Sequence, residues 1–475
     1  MPGNPEPEES RNDRSFAMSL RFRLPPENGL RVSRPATRPV ELLPGPPGAG
    51  SREHWREEQS LIGPGLPAVM QWAELTIASA SGAFLTDVDG NEYIDLLGAS
   101  GVNSIGHSHP ALVAALKEQV DSWMVGAYGS RARLDMLELL QRMLPPGLDR
   151  IQLCSGGAEA VEAALRLAKA YTGKYEFLSF WDGFHGKTLG ALALTSGARK
   201  DLGPLPPGFF SAPFANCYRC PLRCAGCDLA CLDLVRSVIR EQSSGALAAI
   251  IVEPVQGKAG NVPAPPGYLR ALKELAHEHG ALLIADEMIT GFGRTGELFG
   301  CDHDGIIPDI ALVGKGMAGG YPVSGVISSS EIMSAAPFSD PSASSSSYGG
   351  FPTACAAVAA TLGVIVEEDL VARSRTLGAE LIARLKELEG SAPLVGEVRG
   401  QGLMIGIELV EDRETRAPVS RETVQGVFRY LLEQGVLVMV GGNSLRLYPP
   451  LSIAPETAHR AVDVIERVLL AEGAQ

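Results

Sequence analysis

Ile310-Ala311-Leu312-Val313-Gly314-Lys315-Gly316 is an apolar run that stops at a lysine in a glycine-rich turn. Two more runs in the middle of the chain also end in an ionisable residue, Ala249-Ile250-Ile251-Val252-Glu253 and Ala281-Leu282-Leu283-Ile284-Ala285-Asp286. Short uninterrupted apolar runs with helix-like segments between them predict buried parallel strands. In open α/β sheets, ligands sit outside the carboxyl ends of the strands. Glu253, Asp286 and Lys315 are therefore expected to converge on one crevice, although each taken singly also reads as a strand-end charge meeting solvent.

A lysine in a partly dry pocket loses its proton more readily and forms a Schiff base with an aldehyde. Pyridoxal phosphate is the cofactor that uses such a lysine, and it needs an acidic partner to keep its pyridine nitrogen protonated as an electron sink. Asp286 supplies the right charge. The phosphate needs backbone donors at a helix start, and Gly156-Gly157-Ala158-Glu159-Ala160-Val161-Glu162-Ala163-Ala164-Leu165 opens an alanine-rich helix behind a glycine pair. That pair is a weak signal alone, since many helices begin after glycine without binding anything.

The stretch Glu253-Pro254-Val255-Gln256-Gly257, then Asp286-Glu287-Met288-Ile289-Thr290-Gly291-Phe292-Gly293-Arg294-Thr295-Gly296, then Gly314-Lys315-Gly316 resembles the class III aminotransferases. The likeness runs from about residue 80 to the C-terminus through Asp87-Val88-Asp89-Gly90-Asn91, Gly106-His107-Ser108-His109-Pro110, Phe184-His185-Gly186 and Tyr348-Gly349-Gly350. It implies a pyridoxal-phosphate enzyme of α/β class and fold type I. A large, mostly parallel-sheet cofactor domain is joined in that fold by a smaller α+β domain built from N- and C-terminal segments.

Carried over by position, the resemblance makes Lys315 the Schiff-base lysine and the proton shuttle. It pairs Asp286 with the pyridine nitrogen and puts Glu253 in the cofactor site. Gly157 and Ala158 match the turn whose amides hold the phosphate. Ser347 falls where the family has a threonine reaching the phosphate from the neighbouring subunit, which implies a homodimer or higher oligomer with shared sites. Phe184 matches the aromatic residue stacked on the cofactor ring and Met288 the apolar residue on its other face, while ordinary core packing explains both equally well without the resemblance. His185 is expected as a structural neighbour of the cofactor.

Departures from the family pattern bear on the substrate. Arg446, in Leu445-Arg446-Leu447-Tyr448-Pro449-Pro450-Leu451, matches the arginine that binds a substrate carboxylate in ornithine, 4-aminobutyrate and dialkylglycine enzymes. A guanidinium suits that task because its fork pairs with a carboxylate through two bonds. Where the first two shield that arginine with a glutamate, this chain has Lys258. Ile289 replaces a common glutamine, as in ω-amine:pyruvate transaminases, and Lys187 stands where relatives carry arginine or, in putrescine transaminases, lysine. These signals point to different substrates.

The whole chain agrees with a soluble enzyme. Its 475 residues are 45% hydrophobic, enough for a large core. No apolar stretch reaches the roughly 18 to 20 residues of a membrane span. A formal charge of -14 argues against nonspecific nucleic-acid binding. No secretory signal is recognisable, so a cytoplasmic location is expected. Residues 1–55, rich in Pro and Arg, are expected to be a disordered tail. Residues 56–104 should pack with the small domain and include a hairpin about Asp89-Gly90. The cofactor domain is expected over 105–345 and the small domain over 346–475.

Five of the eight cysteines cluster at Cys217, Cys220, Cys224, Cys227 and Cys231. Cys-x-x-Cys pairs chelate zinc or an iron–sulfur cluster, and Cys217, Cys220, Cys224 and Cys227 are the candidate set. The three residues between the pairs are far fewer than the about 15 to 20 of a zinc ribbon. Thiols or a redox pair in a surface insertion are the alternative, with Pro221 and Gly226 favouring a loop.

The resulting expectation is an aminotransferase that works by two half-reactions. It would move an amino group from an ω-amino acid, a diamine or an amino sugar, in a biosynthetic setting, to 2-oxoglutarate or pyruvate. A decarboxylating transaminase resembling 2,2-dialkylglycine decarboxylase is the alternative, and a non-catalytic aminotransferase-like scaffold a more distant one.

Overall fold

An Asp-Gly turn organises the first sheet. Strands β1 (Ile77–Ser81), β2 (Phe84–Asp87) and β3 (Glu92–Asp95) run antiparallel, with Asp89-Gly90 joining β2 to β3 as the sequence predicts. The buried Asp87 carboxylate accepts hydrogen bonds from the amides of Asp89 (3.0 Å) and Asn91 (2.8 Å), closing the turn. This computed structural model describes residues 46–126, 128–197, 202–222 and 228–471, all within the compact unit Glu41–Gln475.

The tail expected to be disordered to about residue 55 is helical from Ala49 to Gln59. The reason lies in the hairpin turn. Asp89 accepts the Gly50 and Ser51 amides at 2.8 and 2.7 Å, capping a helix whose own N-cap, Gly48, has no side chain to do so. A carboxylate cap of this kind stabilises a helix by about 1 kcal/mol. Residues 1–45 of the expected tail lie outside the described residues.

The three runs that open the sequence argument form strands with every residue buried. They belong to a seven-stranded sheet of β4 (Arg150–Cys154), β5 (Glu176–Phe180), β6 (Phe209–Ala212), β7 (Leu247–Val252), β8 (Leu282–Asp286), β9 (Ile310–Gly314) and β10 (Ser324–Ser328). The order across it is β4-β10-β9-β8-β7-β5-β6. Only β10 runs against its neighbours. Alternate strand residues feed opposite faces. Ile251, Ile284, Ile310 and Leu312 pack with helix Gly157–Thr172, whereas Ile250, Leu283 and Ala285 pack with helices Cys231–Gln242 and Tyr268–Glu278. Helices thus cover both faces, which explains why these strands are continuously apolar.

The C-terminal region adds β11 (Val395–Gln401), β12 (Met404–Asp412), β13 (Val436–Leu437), β14 (Met439–Gly441) and β15 (Ser444–Leu447). Four of these form the path β11-β12-β15-β14, while β13 pairs in parallel with β3. No helix among the described residues is long and apolar enough to cross a membrane.

Candidate active site

Strand register brings the three ionisable ends together. Ala285 pairs with Val252 and Asp286 with Leu312, so Glu253 and Asp286 leave neighbouring strands at one level, and Lys315 follows three residues after Leu312. Lys315 has φ 43°, in the left-handed region that a side chain rarely adopts. A non-glycine residue held there costs about 1–3 kcal/mol, which the surrounding packing must offset. Gly314 precedes it because Met288 comes too close for a side chain: a Cβ at Gly314 would lie 2.7 Å from Met288 Sδ. The Lys315 amine donates no hydrogen bond to another described residue. Burial pushes its pKa down, with a further push from Arg446, against the attraction of Asp286 and Glu253. An amine lowered in this way is the form that attacks an aldehyde.

Asp286 is buried against His185. His185 Nδ1 lies 2.7 Å from Asp286 Oδ2, and the Met288 amide donates to Asp286 Oδ1 at 3.2 Å. Burial disfavours the imidazolium, but the hydrogen bond and charge of Asp286, aided by Glu253, outweigh it and raise the His185 pKa. The backbone of His185 is fixed too, because its amide donates to Thr195 Oγ1 at 3.0 Å. Asp286 Oδ1, holding one long bond, has room for another donor such as a protonated ring nitrogen.

Glu253 accepts the Phe184 amide (2.9 Å) and the Gly257 amide (3.0 Å), tying the segment after β5 to the turn after β7. Burial raises its pKa, and Asp286 adds to this, while His185 and the two amides oppose it. The Phe184 ring is 36% exposed and Met288 is buried at 8%. Helix Gly157–Thr172 has no side-chain cap at Gly156, which leaves first-turn amides at Gly157 and Ala158 for an anion. These features fit pyridoxal phosphate: an unpaired amine, an acid with acceptor capacity, an aromatic face and an uncapped helix start.

Ser347 is exposed, and its neighbour Ser346 hydrogen bonds Glu159 in the first turn of that same helix. Arg446 is buried on β15. Its Nη1 donates to Gly257 O at 2.9 Å and its Nη2 to Val440 O at 3.2 Å, and Nε has no partner among the described residues. Lys258 is the next residue after Gly257. It is exposed, yet its amine reaches Ser196 O at 2.7 Å. Desolvation lowers the Lys258 pKa and Arg446 lowers it further, against Asp182 and Glu253. Lys187 is exposed and forms no hydrogen bond or ion pair with Arg446 or Lys258.

Three contributors escape a reading by motif. Ser104 Oγ donates to Gly316 O at 2.6 Å, beside the lysine. Tyr448 Oη donates to Asn261 Oδ1 at 2.5 Å, and Asn261 Nδ2 donates to Ile405 O at 2.8 Å. The one available signal is Asn261 itself, whose φ of 56° suits asparagine. For the cysteines, Cys217 is exposed and Cys220 intermediate, while Cys224 and Cys227 lie outside the described residues. Among the described residues, no group of three or more His, Cys, Asp or Glu could hold a metal ion.

Known proteins resemble this chain over most of their length. The acetylornithine aminotransferase of Methanopyrus kandleri is 37% identical over 403 residues, covering 84% of this chain and 95% of its own. The leucine/methionine racemase of Thermococcus litoralis is 35% identical over 408 residues, covering 84% and 91%. An amine transaminase from an uncultivated Pseudomonas species, solved in its PLP-bound form, superposes with a TM-score of 0.81 at 32% identity over 87% of this chain and 98% of its own. The family profile for aminotransferase class-III matches residues 68–469. The chain therefore belongs to the class III aminotransferases, pyridoxal-phosphate enzymes of fold type I.

Proposed function

We propose that this enzyme moves an amino group from a primary amine to a 2-oxo acid, 2-oxoglutarate or pyruvate, in two half-reactions. The observation that carries this reading is the partly buried, unpaired Lys315 amine in the electrostatic field of both Asp286 and the buried Arg446. Pyridoxal phosphate, when bound, supplies the aldehyde for the amine and an electron sink for the carbon that loses its proton. Lys315 would take the proton from the donor carbon and return it within the site. Asp286, oriented by His185, would hold the proton on the ring nitrogen of the bound cofactor. Phe184 and Met288 would flank the ring, and Glu253 keeps the Phe184 segment in place. The amides of Gly157 and Ala158 would hold the phosphate, and Ser347 of a second copy would complete the cradle in a homodimer. Arg446 receives the carboxylate of the oxo acid, and Lys258 stands at the entrance as a second cation.

Of the donors considered, an ω-amino acid is supported by the similarity to acetylornithine aminotransferases. The test is spectroscopic. Purified protein loaded with pyridoxal phosphate should be yellow, and its visible band should shift on adding the donor and return on adding the oxo acid. A panel of ω-amino acids, diamines and amino sugars that leaves the band of cofactor-loaded protein unmoved would sink this reading. Release of carbon dioxide from a 2,2-dialkyl amino acid would assign the decarboxylating reaction instead.

A further inference from the structure

Between Cys217 and Cys220, Tyr218 and Arg219 reach the sheet of β11 and β12. Arg219 Nε donates to Glu408 Oε1, and Arg219 Nη1 donates to Arg416 O at 3.0 Å. Arg416 answers with a hydrogen bond to Tyr218 O, and its guanidinium sits 4.6 Å from the Tyr218 ring centre. Gly396 has no side chain because the Tyr218 hydroxyl occupies that space.

Glu408 is buried, and so is its second partner, Arg399, whose Nη1 also pairs with Glu397 Oε2 at 2.6 Å. Two carboxylates and one guanidinium in this interior leave one negative charge over. Arg219 brings the fourth charge and balances the set. A buried charge without its partner is costly, so removing Arg219 should make Glu397 and Glu408 compete for Arg399.

Arg399 has a second task. Its Nε donates to Gly260 O at 2.9 Å and its Nη2 to Ala259 O at 3.4 Å. Those carbonyls belong to the turn Gly257–Asn261. The same turn carries Lys258, and its Gly257 carbonyl takes Arg446 Nη1. Gly260 has φ 102°, and Ser444 and Arg399 crowd it, so this turn has little freedom to settle elsewhere.

We infer that Arg219 is a positioning residue for carboxylate recognition: through Glu408 and Arg399 it holds the turn that sets Lys258 and Arg446. The inference rests on the reading that Arg446 receives the oxo-acid carboxylate. Its test uses cofactor-loaded full-length enzyme. Arg219→Gln should raise KM for the oxo acid about five-fold, the effect of one coupled contact, with kcat at saturating acceptor and the visible cofactor band unchanged. Amide hydrogen exchange at Ala259–Asn261 should quicken while β8 stays protected. Arg219→Lys should restore part of the KM. In a Glu408→Gln background, Arg219→Gln should have a smaller effect, because the surplus charge is gone. Unchanged KM and unchanged exchange in Arg219→Gln would overturn the inference, as would a fall in kcat and thermal stability with no selective change in KM. Arg446→Gln serves as the reference. If it raises KM and Arg219→Gln does not, only the positioning role fails. If neither changes KM, the reading of Arg446 fails as well.

Discussion

His185 and Asp286 face each other at 2.7 Å with 1% and 5% of their side chains exposed. The pair makes Asp286 more than a strand-end acid. One of its oxygens is committed to the imidazole, and the other accepts only the Met288 amide, at 3.2 Å.

That pairing predicts a signature in pH and stability. The His185 pKa is raised in the folded protein, against burial, by Asp286 and then Glu253. Its contribution to stability is therefore fully present below the unfolded value of about 6.5 and fades as pH rises through the folded value. His185→Asn should destabilise by roughly 3 kcal/mol in acid, because it leaves the buried carboxylate without its partner. The difference between wild type and variant in urea unfolding should shrink as pH is raised. A difference that stays constant from pH 5.5 to 9 would contradict this account.

Lys315 makes the opposite prediction in the cofactor-free protein. Burial, joined by Arg446, lowers its pKa. A lysine lowered by folding binds its proton more weakly in the folded than in the unfolded chain, so it costs stability at neutral pH and less as pH approaches 10.5. Cofactor-free Lys315→Met should be more stable than cofactor-free wild type at pH 7, with the gap narrowing at pH 9.5. Turnover should fall by at least about 10²–10⁴-fold, the usual contribution of a positioned acid–base group. Urea titrations at the two pH values and a coupled assay check both halves.

Arg446 should govern acceptor affinity. A hydrogen bond to a charged group contributes about 1.5–3 kcal/mol, or about 10–150-fold. Arg446→Gln should raise KM for 2-oxoglutarate or pyruvate by that factor. Its effect on a donor amine lacking a carboxylate should be much smaller. Equal effects on both substrates would show that Arg446 serves the fold alone, through its bonds to Gly257 O and Val440 O.

The chemistry was far more legible than the packing that supports it. Glu253, Asp286 and Lys315 could be brought together because each ends or follows a run of buried apolar residues, and a parallel sheet aligns such ends. The helix Ala49–Gln59 could not be read, since its cap is a carboxylate 38 residues away in another turn. Nor could Tyr448 with Asn261, 187 residues apart, or Ser104 with Gly316, 212 apart. Single contacts over such distances leave no periodic trace. The cysteine spacing drew attention to metal, whereas the contacts to the C-terminal sheet come from Tyr218 and Arg219 between them.

Lys258 provides the sharpest test of substrate choice. It lies in the turn whose Gly257 carbonyl accepts Arg446, and its pKa is lowered first by desolvation and then by Arg446 against Asp182 and Glu253. Two neighbouring cations favour an acceptor with two carboxylates over one with a single carboxylate. Lys258→Glu would put there the residue type that relatives use as a gate, and the new carboxylate would compete with the acceptor for Arg446. KM for 2-oxoglutarate should rise by about ten-fold, since a charge reversal near a desolvated partner is worth more than an exposed pair's 0–1 kcal/mol. KM for pyruvate should rise less, and amines without a carboxylate should become better donors. Salt sharpens the distinction. If Lys258 attracts the second carboxylate directly, raising ionic strength should weaken 2-oxoglutarate binding more in wild type than in Lys258→Gln. Parallel salt dependence in the two proteins would show instead that Lys258 acts only through its bond to Ser196 O.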